Sequence, residues 1–305
     1  MKLSVCILAR NEEKTLARAL ASVQNLADEI ILVDTGSTDK TKDVARRFTK
    51  NIYDFAWCDD FSKARNFSLE KVKGAWILVL DADEVLAAED HEAIRNLIKS
   101  TAYVGFAFKQ VSYTNDITQY NYIPLAADAN YEHYKKYAQG FSGYISCNII
   151  RLFRNGLNIH FAGAVHESVD ASCMEQGKVL KTDIWLHHYQ FERGDAFIKK
   201  KQLQYLSIYE NTIDDYPNKA RAYRDIASIY YTYLQDYATA ASYFQKSLSL
   251  NDHHPKTYVG LVLCSVQQHK IQHARALLEQ ALTFFPHHAQ LLSLKKHLRN
   301  LSPLP

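Results

Sequence analysis

Ala75-Trp76-Ile77-Leu78-Val79-Leu80-Asp81-Ala82-Asp83-Glu84 is the most apolar strand-like run of the chain, and it closes on three acids. Bounded by Gly74 on one side and Asp81 on the other, the apolar part predicts a buried strand over residues 75–80. Two carboxylates one residue apart at the end of such a strand cannot both lose water without cost. A divalent cation and a phosphate or ribose are therefore their natural partners. A bare acid-x-acid pattern is common, and the weight of this one comes from its place at a strand end; the competing reading is an acidic surface turn that caps the next helix.

Outward from that run, residues 2–8, 29–33 and 51–55 read as strands and residues 12–23, 38–48 and 62–72 as helices, with Leu16, Leu20 and Val23 at helical spacing. Strands separated by such helices imply βαβ units and a parallel sheet. Ligands of open sheets bind beyond the carboxyl ends of the strands, which singles out residues 9–12, 34–37 and 81–84. In Asp34-Thr35-Gly36-Ser37-Thr38-Asp39, Gly36 supplies a turn and Ser37 or Thr38 caps the next helix. Capping leaves the acid at position 34 unexplained; it stands at the edge where a base can donate hydrogen bonds to it.

Beyond residue 100 the pattern changes. Residues 104–113, 145–153 and 179–187 read as strands joined by long loops, and Tyr120, Tyr122, Tyr131, Tyr134, Tyr137 and Tyr144 crowd into one of them. Such a loop is either functional or a packed insertion whose tyrosines keep their hydroxyls wet. From about residue 195 the chain reads as helix. Tyr231, Tyr237, Ala240, Phe244 and Leu248 recur with a period of 34 residues as Ser265, Ile271, Ala274, Leu278 and Leu282, and Pro286 closes the second unit. This resembles the tetratricopeptide repeat. Ser228 stands in place of the repeat's glycine and Asp252 in place of a proline, residues 196–211 read as a degenerate half-unit, and residues 289–301 as the terminal cap.

The chain has 305 residues, more than one core usually holds, with 47% apolar and 23% charged residues, which excludes disordered, collagenous and coiled-coil classes. Lys+Arg 36 against Asp+Glu 33 leaves +3 with no block of like charge, so no nucleic-acid partner is expected. Cys6, Cys58, Cys147, Cys173 and Cys264 lie far apart without metal-ligand spacing, as in a reduced cytoplasmic chain. The apolar run at residues 3–9 is too short for a signal peptide, and no run spans a membrane. Peripheral contact with the inner face of a membrane needs no such run.

Four blocks in order, Ser4-Val5-Cys6-Ile7-Leu8-Ala9-Arg10-Asn11-Glu12-Glu13, Val33-Asp34-Thr35-Gly36-Ser37-Thr38-Asp39-Lys40-Thr41, Asp60-Phe61-Ser62-Lys63-Ala64-Arg65-Asn66 and Leu80-Asp81-Ala82-Asp83-Glu84, resemble the family 2 inverting glycosyltransferases. Arg151-Leu152-Phe153-Arg154, Val165-His166-Glu167-Ser168-Val169 and Leu186-His187-His188-Tyr189 are similar to the lipopolysaccharide-core β-glucosyltransferases. The helical repeats resemble those of sublancin-type peptide S-glycosyltransferases.

The resemblance implies an α/β GT-A domain, Rossmann-like with a mostly parallel sheet, over residues 1–194, followed by an all-α tetratricopeptide-like domain over residues 195–305. It implies that Asp34 contacts the base of a UDP-sugar donor, with Ala9 and Arg10 lining the pocket and Glu12 beside them. Asp81 and Ala82 would face the ribose, and Asp83 would bind Mn²⁺ or Mg²⁺ on the diphosphate. His188 resembles the family's late metal histidine, with His187 as the competing candidate. Leu8-Ala9-Arg10 departs from the family's Pro-Thr-Tyr. Arg65 is a candidate for a phosphate or ribose oxygen, against the alternative of a surface arginine. Inverting transfer needs a base for the acceptor's proton, and Glu167 is the remaining carboxylate with suitable context, His166 orienting it or touching the sugar. No Ser or Cys sits in a nucleophile elbow.

The expected activity is hexosyl transfer, glucose by analogy, to a peptide, protein or lipid-linked saccharide, with the repeats recruiting the acceptor or forming a homodimer. Nucleotidyl transfer is disfavoured because residues 8–15 lack glycine. The remaining rival is a scaffold with a vestigial catalytic domain.

Overall fold

The computed structural model describes residues 1–117, 119, 121–250 and 253–300, so the expectations for Tyr120, Asp252 and Leu301 lie outside the described residues. The chain divides into two compact units, Met1–Gly194 and Asp195–Pro305.

The first unit begins β1 (Leu3–Ala9), α1 (Leu16–Val23), β2 (Glu29–Asp34), α2 (Thr41–Ala45), β3 (Asn51–Asp54), α3 (Phe61–Leu69) and β4 (Trp76–Asp81). It continues with β5 (Glu84–Leu86), α4 (His91–Leu97), β6 (Gly105–Thr114), β7 (Ile123–Pro124), α5 (Tyr131–Tyr134), β8 (Gly143–Arg154), α6 (Asp170–Gln176) and β9 (Val179–His188). One sheet runs β3-β2-β1-β4-β8-β6-β9-β5, with β7 on β8. The first four strands are parallel, β8 runs antiparallel to β4 and β6, β9 is parallel to β6, and β5 antiparallel to β9.

Strand alternation explains why the run before Asp81 carries no polar residue. Leu78 and Leu80 join Leu3, Val5, Ile7 and the α1 residues Leu16 and Leu20 in one core, while Ile77 and Val79 join Cys6, Ile31 and Phe161 in a core on the other face. Register then aligns the functional ends: Ala9 lies beside Asp34, and Leu8 beside Asp81. A third core gathers Tyr113, Tyr134, Tyr144, Trp185 and Tyr189, with Tyr131 and Tyr137 against it, so these tyrosines of the long loop are packing residues.

Two predicted helices start later than expected, for one reason. Asn11 adopts φ 56, its Oδ1 accepts from the Thr38 N–H at 2.8 Å, and its own N–H donates to Ser37 Oγ at 2.9 Å. Ser37 is therefore a loop clasp and not a helix cap; α1 begins only at Leu16 and α2 at Thr41, where Asp39 Oδ1 accepts the Thr41 N–H at 2.9 Å. The segments β7, α5 and α6 lie in the stretches that the sequence reads as long loops, each being too short to establish a period.

The second unit comprises α7 (Asp195–Thr212), α8 (Lys219–Ile229), α9 (Tyr237–Ser249), α10 (Pro255–Gln267), α11 (Ile271–Phe284) and α12 (Ala289–Asn300). Ala240, Ala274, Phe244 and Leu278 are all buried, as the period requires. A Cβ at Gly260 would sit 2.2 Å from Phe244 Cζ, so glycine is what lets α10 approach that ring. Asn218 and Asp236 cap α8 and α9 by accepting the N–H groups of Arg221 and Thr239.

Candidate active site

The acidic turn after β4 is closed by its own last side chain. Glu84 is fully buried; its Oε2 accepts the Asp81 N–H at 2.8 Å, and its Oε1 accepts from Arg151 Nη2 at 2.9 Å and Gln110 Nε2 at 2.5 Å. Asp81 is held on both oxygens, Oδ1 by Arg65 Nη2 and Oδ2 by Arg151 Nη2 at 2.7 Å. Arg65 Nε donates in turn to Glu167 Oε1 at 2.9 Å. Glu167, Arg65, Asp81, Arg151 and Glu84 thus form one ionic chain, and Arg65 is a buried residue of α3, not a surface arginine.

Burial would push Asp81 up, but the guanidinium groups of Arg151 and Arg65 outweigh it and hold the carboxyl well below the usual carboxylate range. Burial wins at Glu84, whose carboxyl is pushed up despite Arg151. Arg151 is pushed up against the pull of its own burial by Asp81 and Glu84. Removing one member of such a buried set costs about 3–5 kcal/mol, because its partners stay desolvated without compensation.

Asp83 faces the next strand end. Its Oδ1 lies 3.4 Å from His188 Nε2, and its carbonyl accepts the Tyr189 N–H at 3.2 Å. The other ring nitrogen, His188 Nδ1, lies 2.8 Å from Ser112 Oγ. Burial alone would lower the His188 pKa; the carboxylates of Asp83, Glu84 and Asp81 outweigh it and push it up. His187 points to the opposite face, into the tyrosine core, which decides between the two histidines as the neighbour of Asp83. One carboxylate oxygen and one imidazole nitrogen are a donor set that fits a divalent cation. Among the described residues no group of three His, Cys, Asp or Glu side chains forms a closed metal cage.

Asp34 is divided between two tasks. Oδ1 accepts the N–H groups of Gly36 at 3.0 Å and Ser37 at 2.8 Å, which accounts for half of the acid; Gly36, at φ +100, supplies the left-handed turn. Oδ2 is buried without a protein partner, as is Arg65 Nη1. Ala9 meets this turn through its carbonyl, which accepts the Thr35 N–H at 3.0 Å, and Arg10 is exposed. Glu12, pushed up by burial, is tied to Arg193 Nη1 at 2.8 Å just beyond β9. Ala82 is buried within the acidic turn. His166 adopts φ +51 in a loop closed by the Ala162–Ser168 bridge, so it and Glu167 are not bound by strand alternation.

Sequence reasoning passed over Gln110, Ser112, Arg151 and Arg193 as site residues. The signal for the first two was present: Gln110 and Ser112 are polar residues two apart, and so on one face of β6, where Phe106 and Phe108 precede them.

The family description "Glycosyl transferase family 2" matches residues 4–158, just over half of the chain. The chain belongs to glycosyl transferase family 2. In this family 2 chain a "Tetratricopeptide repeat" match covers residues 231–298. The chain is 29% identical over 72% of its length to a TPR repeat-containing protein of Synechococcus elongatus, covering 50% of that protein. It is 27% identical over 53% of its length to the SPbeta prophage-derived glycosyltransferase SunS of Bacillus subtilis, covering 33% of it. It therefore spans half or less of the length of these curated relatives. The crystal structure of S. aureus TarS 1-349 in complex with UDP-GlcNAc is 14% identical with a TM-score of 0.46, over 91% of this chain and 88% of that one. This chain joins a GT-A architecture in its first unit to tetratricopeptide-type helices in its second. Among the described residues no helix is long and apolar enough to cross a membrane.

Proposed function

We propose that this chain is a metal-dependent inverting hexosyltransferase that moves glucose from UDP-glucose to a peptide, protein or saccharide acceptor. The observation that carries this reading is the Asp83–His188 pair at the carboxyl edge of the sheet, 3.4 Å apart. Asp83 and His188 would hold Mn²⁺ or Mg²⁺, which when bound neutralises the leaving diphosphate. Asp34 Oδ2 accepts a hydrogen bond from the base, supported by its having no protein partner, with Ala9, Arg10 and Glu12 around that pocket. Asp81 and Ala82 face the ribose. Arg65 Nη1, likewise unpartnered, donates to a ribose or phosphate oxygen.

Glu167 takes the acceptor's proton while the acceptor oxygen or sulfur bonds to the anomeric carbon. The bond from that carbon to UDP breaks with its electron pair leaving on the diphosphate, and a single displacement inverts the centre. His166 orients Glu167 from the same loop. The helical repeats recruit the acceptor or pair two copies, and the chain works in the cytoplasm, at the membrane's inner face where the acceptor is lipid-linked.

Calorimetry with UDP, GDP, CMP and dTDP, with and without Mn²⁺, on wild type and Asp83→Ala tests this. Tight UDP binding that needs Mn²⁺ and is lost in the variant is the expected result. A folded wild type that binds no nucleotide overturns it in favour of a scaffold working through its repeats.

A further inference from the structure

We infer that Ser112 and Gln110, one side-chain repeat apart on β6, are positioning residues that set the Asp83–His188 pair for its cation. The inference rests on the metal-dependent reading above. Three strands meet in one row here: Ser112 lies in register with His188 on β9, and His188 with Glu84 on β5. In-register neighbours point to the same face, so all three side chains stand on the side that carries the acidic turn.

For His188 Nε2 to offer a lone pair, the ring proton must reside on Nδ1. Ser112 Oγ, 2.8 Å from Nδ1, is the acceptor that keeps it there and stops the ring from turning over. Ser112 and His188 are more than nine-tenths buried, so bulk water does not substitute for the hydroxyl. Gln110 acts on the other half of the pair. Its Nε2 holds Glu84 Oε1 at 2.5 Å while Glu84 Oε2 holds the Asp81 N–H, which fixes the turn that carries Asp83. A single strand thereby bears on both the orientation of the imidazole and the position of the carboxylate, sharing the second task with Arg151 on β8.

The test is Mn²⁺ binding in the presence of UDP, with Mn²⁺-free UDP binding and thermal unfolding as controls. Ser112→Ala should weaken Mn²⁺ by about 10- to 100-fold, the range for groups that orient a metal ligand, and leave metal-free UDP binding within about twofold. Ser112→Thr, which keeps the hydroxyl, should return the affinity towards wild type. Gln110→Leu should weaken Mn²⁺ without altering His188. Should Ser112→Ala not fold, Ser112→Cys, near in size but a poor acceptor, carries the same expectation.

The second readout is the ¹⁵N spectrum of His188 in the chelator-treated protein, where Ser112→Ala should move the Nδ1 signal. Unchanged His188 signals together with unchanged Mn²⁺ affinity overturn the role of Ser112, and wild-type affinity in Gln110→Leu overturns that of Gln110. If wild type itself takes up no Mn²⁺ with UDP, the metal reading fails, and the His188 spectrum still decides whether Ser112 orients the ring.

Discussion

His187 and His188 are neighbours at the end of β9, yet their surroundings share nothing. The His187 ring stacks on Tyr137 at 4.1 Å between centroids and its Nδ1 lies 2.8 Å from the Tyr113 hydroxyl, and burial, outweighing the pull of the Glu89 carboxylate, pushes its pKa down to about 3. His188, on the other face, meets Asp83 and Ser112, and its pKa moves up. Strand alternation has sorted one residue type into an aromatic core and an acidic edge. The lesson is that a histidine's surroundings are set by the face it occupies: aromatic packing on one side, carboxylates and a hydroxyl on the other.

The largest expected effect falls on the acidic edge. Asp83→Ala should lower metal-dependent turnover with UDP-glucose about a thousandfold, the scale for deleting a principal electrostatic stabiliser, while leaving the fold intact by circular dichroism. His188→Phe should act in the same direction, and retained activity in both would erase the functional half of the contrast. Next comes Arg151→Leu, which strips the shared donor from Asp81 and Glu84. Urea unfolding should show a loss of about 3–5 kcal/mol; a loss under 1 kcal/mol would mean that water or Arg65 compensates and that the edge is less dry than its geometry implies.

The parallel half of the sheet and the 34-residue repeat were legible because both rest on pattern: β1, β2 and β4 carry the apolar runs 5–9, 30–33 and 76–80, buried on both faces, and Ala240 and Ala274 recur as buried small residues 34 apart. Asp34, Asp81 and Asp83 were legible because strand ends can be read from such runs. The roles of Gln110, Ser112 and Arg151 were not: the polarity of the first two is visible in the sequence, but their partners lie on strands far apart in the chain, parallel β9 for Ser112 and antiparallel β4 for Arg151, and such pairings leave no local mark. The division of labour between His187 and His188 was hidden for a related reason: alternation says that they part, but only the pairing of β9 with β5 and β6 says which face holds the acids.

The smallest effects sharpen the aromatic side. Folded His187 titrates near 3 and an unfolded histidine near 6.5, so between those values the unfolded chain holds the extra proton and stability falls as pH drops. Relative to His187→Phe, wild type should lose about 1.4 kcal/mol per pH unit across that window, and a parallel pH dependence of the two proteins would show that the ring is already charged when folded. At pH 7.5 that source of difference is absent. What remains is the hydrogen bond to Tyr113, whose loss leaves a buried hydroxyl without its partner and is offset by the apolar ring; a net destabilisation of about 1 kcal/mol is expected. Mn²⁺ affinity in the presence of UDP should stay at the wild-type value in this variant. A drop there, with the Ser112 and Asp83 sides untouched, would mean that the aromatic core sets the angle at which β9 delivers His188, and the two faces would have to be treated as one device.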